Sequence, residues 1–253
     1  MAYNSLTQVP RNLKEAVDWL MALKGTTPDA NLTAMGVALH DFLAEMPVGL
    51  KRLQALEKIK SITRKFLRNP ELSIQPFVFD LLRRFNGPMN KTYRGLRGNV
   101  MIVNDSDYKN FIQTDRLQPH DIANGLGTLV HGCEHMLANI TDPEEYKSSY
   151  TSEASWAGSC QADPEACAVV FVGIAPMLYA GLRSLRAVGN VATQNASMPD
   201  ADDRIEDVME ALGYVAPERR GEMTGPEVRK AMRSLPVHTL DLVYDLAGFW
   251  AFY

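Results

Sequence analysis

Fifteen consecutive apolar or small residues, AVVFVGIAPMLYAGL from Ala168 to Leu182, constrain this chain more than any other stretch. A run like this must leave water, yet it falls short of the roughly 20 residues that span a bilayer. Pro176 lies inside it. The expectation is a buried helix kinked at the proline, in a chain that is soluble taken alone.

The remaining punctuation is also helical. Asn12 followed by Glu15 resembles a capping box, and Leu13, Val17, Leu20 and Leu23 then recur at helical spacing. A second helix is expected from about 31 to 45, closed by Pro47. A third, from Val48 to Leu67, aligns Leu50, Leu53, Leu56, Ile59, Ile62 and Phe66 on one stripe. A fourth carries Phe77, Phe79, Leu81, Leu82 and Phe85 and stops at Asn86-Gly87-Pro88. Met89 to Gln118 reads as irregular, with GNVMIV at 98–103 as its one strand candidate.

Helices resume at Pro119. Asp142-Pro143-Glu144-Glu145 and Asp163-Pro164-Glu165 both read as helix starts, with a cap, a first-turn proline and first-turn acids. Further helices are expected at 200–212 and 224–235, the latter opened by Thr224 and Glu227, and a last one after Pro236. The fold class is therefore mainly α, a multi-helix bundle with an irregular middle. Residues 1–87 form an N-terminal helical part, 88–118 the irregular segment and 119–253 a C-terminal helical part, which together can be one continuous domain. Trp19, Trp156, Phe171, Tyr179, Trp250 and Phe252 are expected in the core.

Net charge is −4, which gives no global pull towards nucleic acid. The charge is uneven, however. Residues 51–97 hold twelve Lys/Arg against three acids, and 200–227 hold nine acids against three arginines. These read as solvated helix faces, or as a docking surface for an acidic partner centred on Lys51, Arg52, Lys58, Arg64, Lys65 and Arg68.

Three cysteines make no disulfide framework. Cys160 and Cys167 can pair across a short loop, leaving Cys133 as a buried thiol; three reduced thiols fit the count equally well. The N-terminus lacks the apolar core of a secretory signal, so the Asn-x-Ser/Thr sequons carry little weight.

LVHGCEHML, 129–137, places His131, Glu134 and His135 at i, i+3 and i+4, the pattern of an inverted zinc-protease motif. Both imidazoles could take one zinc while Glu134 activates its water, with Glu206 or Glu210 as a further ligand. Enzymes with this motif set it in an α/β fold, and sheet candidates are almost absent here. The expectation is a core helix with hydrogen-bonded or partly exposed histidines. No cofactor, metal site or nucleophile–base pair is assigned.

Three strings then stand out together: SLTQVPRNLKEAVDWLMALKG near the start, EEYKSSYTSEASWAGSCQADPEACAVVFVGIAPMLYAGLRSLR at 144–186, and LDLVYDLAGFWAFY at the end. In this order they resemble the variant erythrocyte surface antigen family of Babesia, whose members often open with a proline followed by N-L-K-E-A-x-D-W. The resemblance touches about a third of the chain. It implies a non-enzymatic protein, exported or displayed on the infected erythrocyte, antigenically variable and adhesive. The implied partners are a host-cell receptor and antibodies. Larger members carry a cysteine- and lysine-rich region and a C-terminal membrane span, neither of which occurs in these 253 residues. The family has no established catalytic residues to carry over.

Overall fold

The computed structural model describes residues 2–87, 91, 104–194 and 203–253. In chain order its helices are α1 (Leu13–Lys24), α2 (Pro28–Ala44), α3 (Gln54–Leu67), α4 (Pro70–Ser73), α5 (Pro76–Asn86), α6 (Phe111–Thr114), α7 (Pro119–Ile140) and α8 (Trp156–Ser159). There follow α9 (Pro164–Gln194), α10 (Asp203–Ala211), α11 (Gly225–Ala231), α12 (Val237–Asp245) and α13 (Phe249–Phe252), with 3-10 turns at Asp105–Asp107 and Met232–Ser234. Among the described residues there is no strand, only isolated bridges pairing Tyr3 with Tyr150 and Thr141 with Arg219. The fold is a mainly α, multi-helix bundle. The strand candidate at 98–103 lies outside the described residues, as do Asp200, Asp202, Arg94 and Arg97.

The apolar run is the middle of α9, which packs against α1, α2, α3, α10, α11 and α12. Asp163 caps it, its carboxylate accepting from Ala166 N at 3.2 Å. By length and hydropathy α9 could cross a membrane, but 89% of its most apolar window is buried by the other helices. The helix runs on across Pro176. A proline lacks the N–H that would close onto the preceding turn, which loosens the carbonyls there. Thr63, wholly buried on α3, reaches in and donates its hydroxyl to Gly173 O at 2.7 Å.

The same contact explains Gly173. A Cβ there would stand 2.4 Å from Ile59 Cγ2 and 2.8 Å from Ile59 Cβ. Gly173→Ala is expected to destabilise the protein by about 1–3 kcal/mol through overpacking, despite alanine's better helix propensity. Adding Ile59→Ala makes room for the new methyl, so urea denaturation should show the double variant losing less than the two single losses summed.

The N-terminus of α1 is capped as its sequence suggests, with a twist. Asn12 Oδ1 accepts from Glu15 N at 2.9 Å, but Glu15 does not return the bond to Asn12. Its carboxylate instead accepts from Arg11 N and Tyr3 OH, each at 2.8 Å, tying the leading segment down.

Other boundaries differ from the sequence pattern. Helix α3 starts at Gln54 rather than Val48, because the preceding residues pair with the chain's last turn. Gly49 N donates to Trp250 O at 2.9 Å and Lys51 N to Ala251 O at 2.7 Å. Leu50 thus drops out of the helical stripe and is exposed. Asp142-Pro143-Glu144-Glu145 makes one closed turn, Tyr146 N to Asp142 O, and no helix. The last helix breaks into α12 and α13 at Gly248, whose φ of +67° favours glycine. Residues 104–118, expected to be irregular, contain α6 and a 3-10 turn.

The core is continuous, taking Leu81 and Leu82 from the N-terminal part with Leu126, Leu178 and Leu240 from the C-terminal part. Trp19, Phe171, Trp250 and Phe252 are fully enclosed, and Trp156 and Tyr179 nearly so.

Candidate functional site

The histidine pair sits in the middle of α7, and its side chains are drawn to different neighbours. His135 Nδ1 lies 3.2 Å from the carbonyl of Ala231, next to the 3-10 turn after α11. Glu134 pairs with Lys24 at the end of α1. His131 is exposed and lines a shallow groove of about 630 Å³ with Asp29, Leu32 and Thr33 of α2. Glu206, a conceivable third ligand, is paired with Arg219. Among the described residues no group of three His, Cys, Asp or Glu side chains is placed to hold a metal. Gly132 shows why the string reads as it does: a Cβ would meet the side chain of Leu235 at 2.5 Å, so α7 lies close against the following turn.

Cys160 and Cys167 form a disulfide, with Cα atoms 5.7 Å apart, joining the end of α8 to the first turn of α9. Cys133 is a free, buried thiol. Burial, with Glu134 beside it, pushes its pKa up to about 12, so it is unreactive as a thiolate at neutral pH.

The string NLKEAVDW builds a buried charge network that its helical spacing does not announce. Lys14 and Asp18 both turn inward, at 8% and 1% exposure. Lys14 Nζ donates to Lys147 O at 2.8 Å and meets Glu218 at 3.1 Å. Asp18 accepts from Ser149 N at 2.8 Å and from the Tyr146 hydroxyl. Burial and the Asp18 charge hold that phenol well above its ordinary range. Trp19 Nε1 donates to Leu6 O at 2.7 Å. Lys14, Glu15, Asp18 and Trp19 thus fasten the segments at 3–8 and 146–150 onto α1.

A second buried cluster gathers residues far apart in sequence. Arg84 on α5 donates to both oxygens of Asp107, at 2.8 and 2.6 Å, with both side chains almost wholly enclosed. Burial is the largest influence and lowers the arginine's pKa; the hydrogen bonds to Asp107 together with the charges of Tyr244, Asp107 and Asp80 outweigh it and raise it. Tyr244 OH bonds Asp107 at 3.2 Å, and the guanidinium lies over the rings of Tyr244 and Phe249. Lys91 Nζ donates to the carbonyls of Asp107 and Phe249, each at 2.8 Å. Its burial brings its pKa down to about 8.

Beside this cluster opens a cleft of about 420 Å³ lined by Asp105, Ser106, Asp115, Asp241, Tyr244 and Asp245 among others. Burial, reinforced by Asp241, Asp115 and Asp107, raises the Asp245 pKa from 3.8 to about 7. Ser106 pulls the other way, but its Oγ makes no hydrogen bond of regular geometry, so the rise prevails. A carboxyl in this range can exchange a proton near neutrality, and the acidic lining attracts cationic groups.

A testable consequence concerns pH. Asp245 binds its proton more tightly folded than unfolded, so it makes stability fall as pH rises from about 4 to 7. Asp245→Asn removes that slope. Urea midpoints should show the variant gaining on the wild type between pH 5 and pH 8, and a constant difference would contradict the assignment.

The basic residues of 51–68 line neither the groove beside His131 nor the cleft beside Asp245. Lys51, Arg52, Lys58, Lys65 and Arg68 are exposed and Arg64 is half-buried. Lys60 is the exception. Its Nζ bonds Glu57 at 2.7 Å and Phe252 O at 2.6 Å, and it lies over the Tyr253 ring.

Sequence reasoning passed over Lys14, Asp18, Arg84, Lys91, Asp107 and Asp245. Lone charges at helical spacing look solvated, and only distant partners show that these are not. The one available signal was position, since Lys14 and Asp18 stand between core residues and Asp245 within the final apolar string. Compared with protein-family models, curated proteins and solved structures, the chain matches none.

Proposed function

We propose that this chain is a non-enzymatic, helical protein of the variant-antigen type, working by exposure and binding on the pattern of the Babesia erythrocyte surface antigens it resembles. The observation that carries the reading is the Cys160–Cys167 disulfide. Disulfides of this kind persist in oxidising surroundings, outside a cytosol or on a cell surface. The placement of the three recognisable strings supports it too. Among the described residues NLKEAVDW, the run in α9 and DLAGFWAFY supply every fully enclosed aromatic side chain except Tyr214. The exposed faces carry none of that burden, so they can change under immune selection at small cost in stability.

The reading is tested by trapping thiols in protein taken directly from its native compartment into denaturant with an alkylating agent. One modified cysteine, Cys133, is the expected result. Three modified cysteines would remove the support for an oxidising location.

A further inference from the structure

The outer face built by α3, α4 and α5 combines two features. The first is unneutralised positive charge. Lys58 and Lys65 are seven residues apart and share a face of α3, with Arg68 at the helix end. Among the described residues none of Lys51, Arg52, Lys58, Arg64, Lys65, Arg68 or Arg83 makes an ion pair. The acid on the same helix, Glu57, is taken by Lys60.

The second feature is protruding apolar side chains. Among the described residues the exposed large hydrophobic ones are Val37, Val48, Leu50, Ile74, Phe79, Val191, Val215 and Val237. Ile74 and Phe79 lie within the basic stretch, and Val48 and Leu50 just before it. Val48 and Leu50 immediately precede Lys51 and Arg52 in the segment before α3. Ile74 caps α4, and Phe79 is 56% exposed one turn before the exposed Arg83 on α5. Helices α3 and α5 pack together, and Arg68 donates to Asn86 Oδ1 at 3.0 Å, which ties their C-terminal ends. Helix α3 is 14 residues long, about 21 Å. In sequence, Lys51 to Arg68 thus lie between the exposed Val48 and Leu50 on one side and Ile74 and Phe79 on the other.

We propose that this face docks on an anionic lipid bilayer, with Lys58, Lys65, Arg68 and Arg83 against the headgroups and Phe79, Ile74 and Leu50 entering the interfacial layer. Charge complementarity selects the partner. A lipid surface with acidic headgroups supplies a flat sheet of negative charge and an apolar layer a few ångströms beneath it. An acidic protein or nucleic acid satisfies the bases but leaves the protruding Ile74 and Phe79 in water. Neither cleft described above includes these residues, which suits a broad flat partner better than a small ligand. The protein's other exposed faces are acidic enough to bring the total to −4, so attraction to the bilayer fixes which face is presented.

This inference does not rest on the proposed antigenic role, because it is tested on purified chain with lipid alone. The probe is flotation with vesicles of phosphatidylcholine, or of equal parts phosphatidylcholine and phosphatidylserine, at low and at physiological salt. The full chain should float with the mixed vesicles and not with phosphatidylcholine, and more weakly as salt rises. Lys58→Glu with Lys65→Glu should reduce binding by at least roughly 30-fold, at about 1 kcal/mol per basic residue near the surface. Phe79→Ser should reduce it by about 10-fold, from the loss of one inserted apolar side chain. Circular dichroism identical to wild type shows that these exposed positions leave the fold intact. The proposal is overturned if the chain ignores the mixed vesicles, binds both kinds equally, or keeps its affinity in the charge-reversed variant. It is also overturned if Phe79→Ser changes nothing, since the face would then be a purely electrostatic contact for an acidic macromolecule.

Discussion

Asp107→Ala should lower the unfolding free energy by about 3–5 kcal/mol, the usual consequence of leaving a buried charge without its partner. Arg84 and Asp107 are exposed by only 3% and 0%, so the guanidinium left behind is largely cut off from bulk water. The guanidinium would keep the carbonyl of Asp80, 2.8 Å away, and lose both bonds to Asp107. Tyr244 would lose its hydroxyl partner as well. The effect is a property of a broken pair, not of the pair itself. Arg84→Met combined with Asp107→Leu removes both charges and should recover most of the loss. Urea denaturation of the three variants decides it. A single variant within about 1 kcal/mol of wild type would mean that the pair contributes as little as an exposed one.

Trp250→Ala should cost a similar amount, about 3–5 kcal/mol, because it empties the largest fully enclosed site near the end of the chain. Its consequences should spread to a distant segment. Trp250 Nε1 donates to Met46 O at 3.2 Å, and the backbone carbonyls of Trp250 and Ala251 accept from Gly49 and Lys51. Hydrogen exchange is expected to show the amides of Gly49 and Lys51 losing protection in the variant. Trp250→Phe, which keeps the ring volume in part, should lose less stability and retain that protection. Unchanged exchange at both amides in Trp250→Ala would show that the link before α3 is held by something else.

Much of the fold is legible in the sequence because its signals are local. Asn12 before Leu13, Asp163 before Pro164 and Thr224 before Glu227 mark helix starts wherever the chain needs a side chain to satisfy a free N–H. What escaped depends on tertiary contacts. Leu50 has helical spacing with Leu53 and Leu56, yet its backbone neighbours pair with the last turn and hold it out of the helix. Asp142-Pro143 carries every helix-start residue, but the chain must run on from Tyr146 to place Ser149 against Asp18. Gly248 was hidden inside a stripe of correctly spaced core residues, and only its positive φ reveals the break.

The site was less legible than the fold. The histidine string drew attention because its three residues form a known pattern, while its partners on α1 and α11 were invisible from the sequence. Arg84 and Asp107 are 23 residues apart, separated by the segment that carries no readable period. Their pairing is a long-range fact, as are the inward turns of Lys14 and Asp18.

The proposed exposure on infected erythrocytes is tested most directly by labelling intact infected cells with antibody raised to the folded chain. Staining of unpermeabilised cells, abolished by brief protease treatment of the cell surface, is the predicted result. Staining that appears only after permeabilisation, with none in the medium, would contradict it.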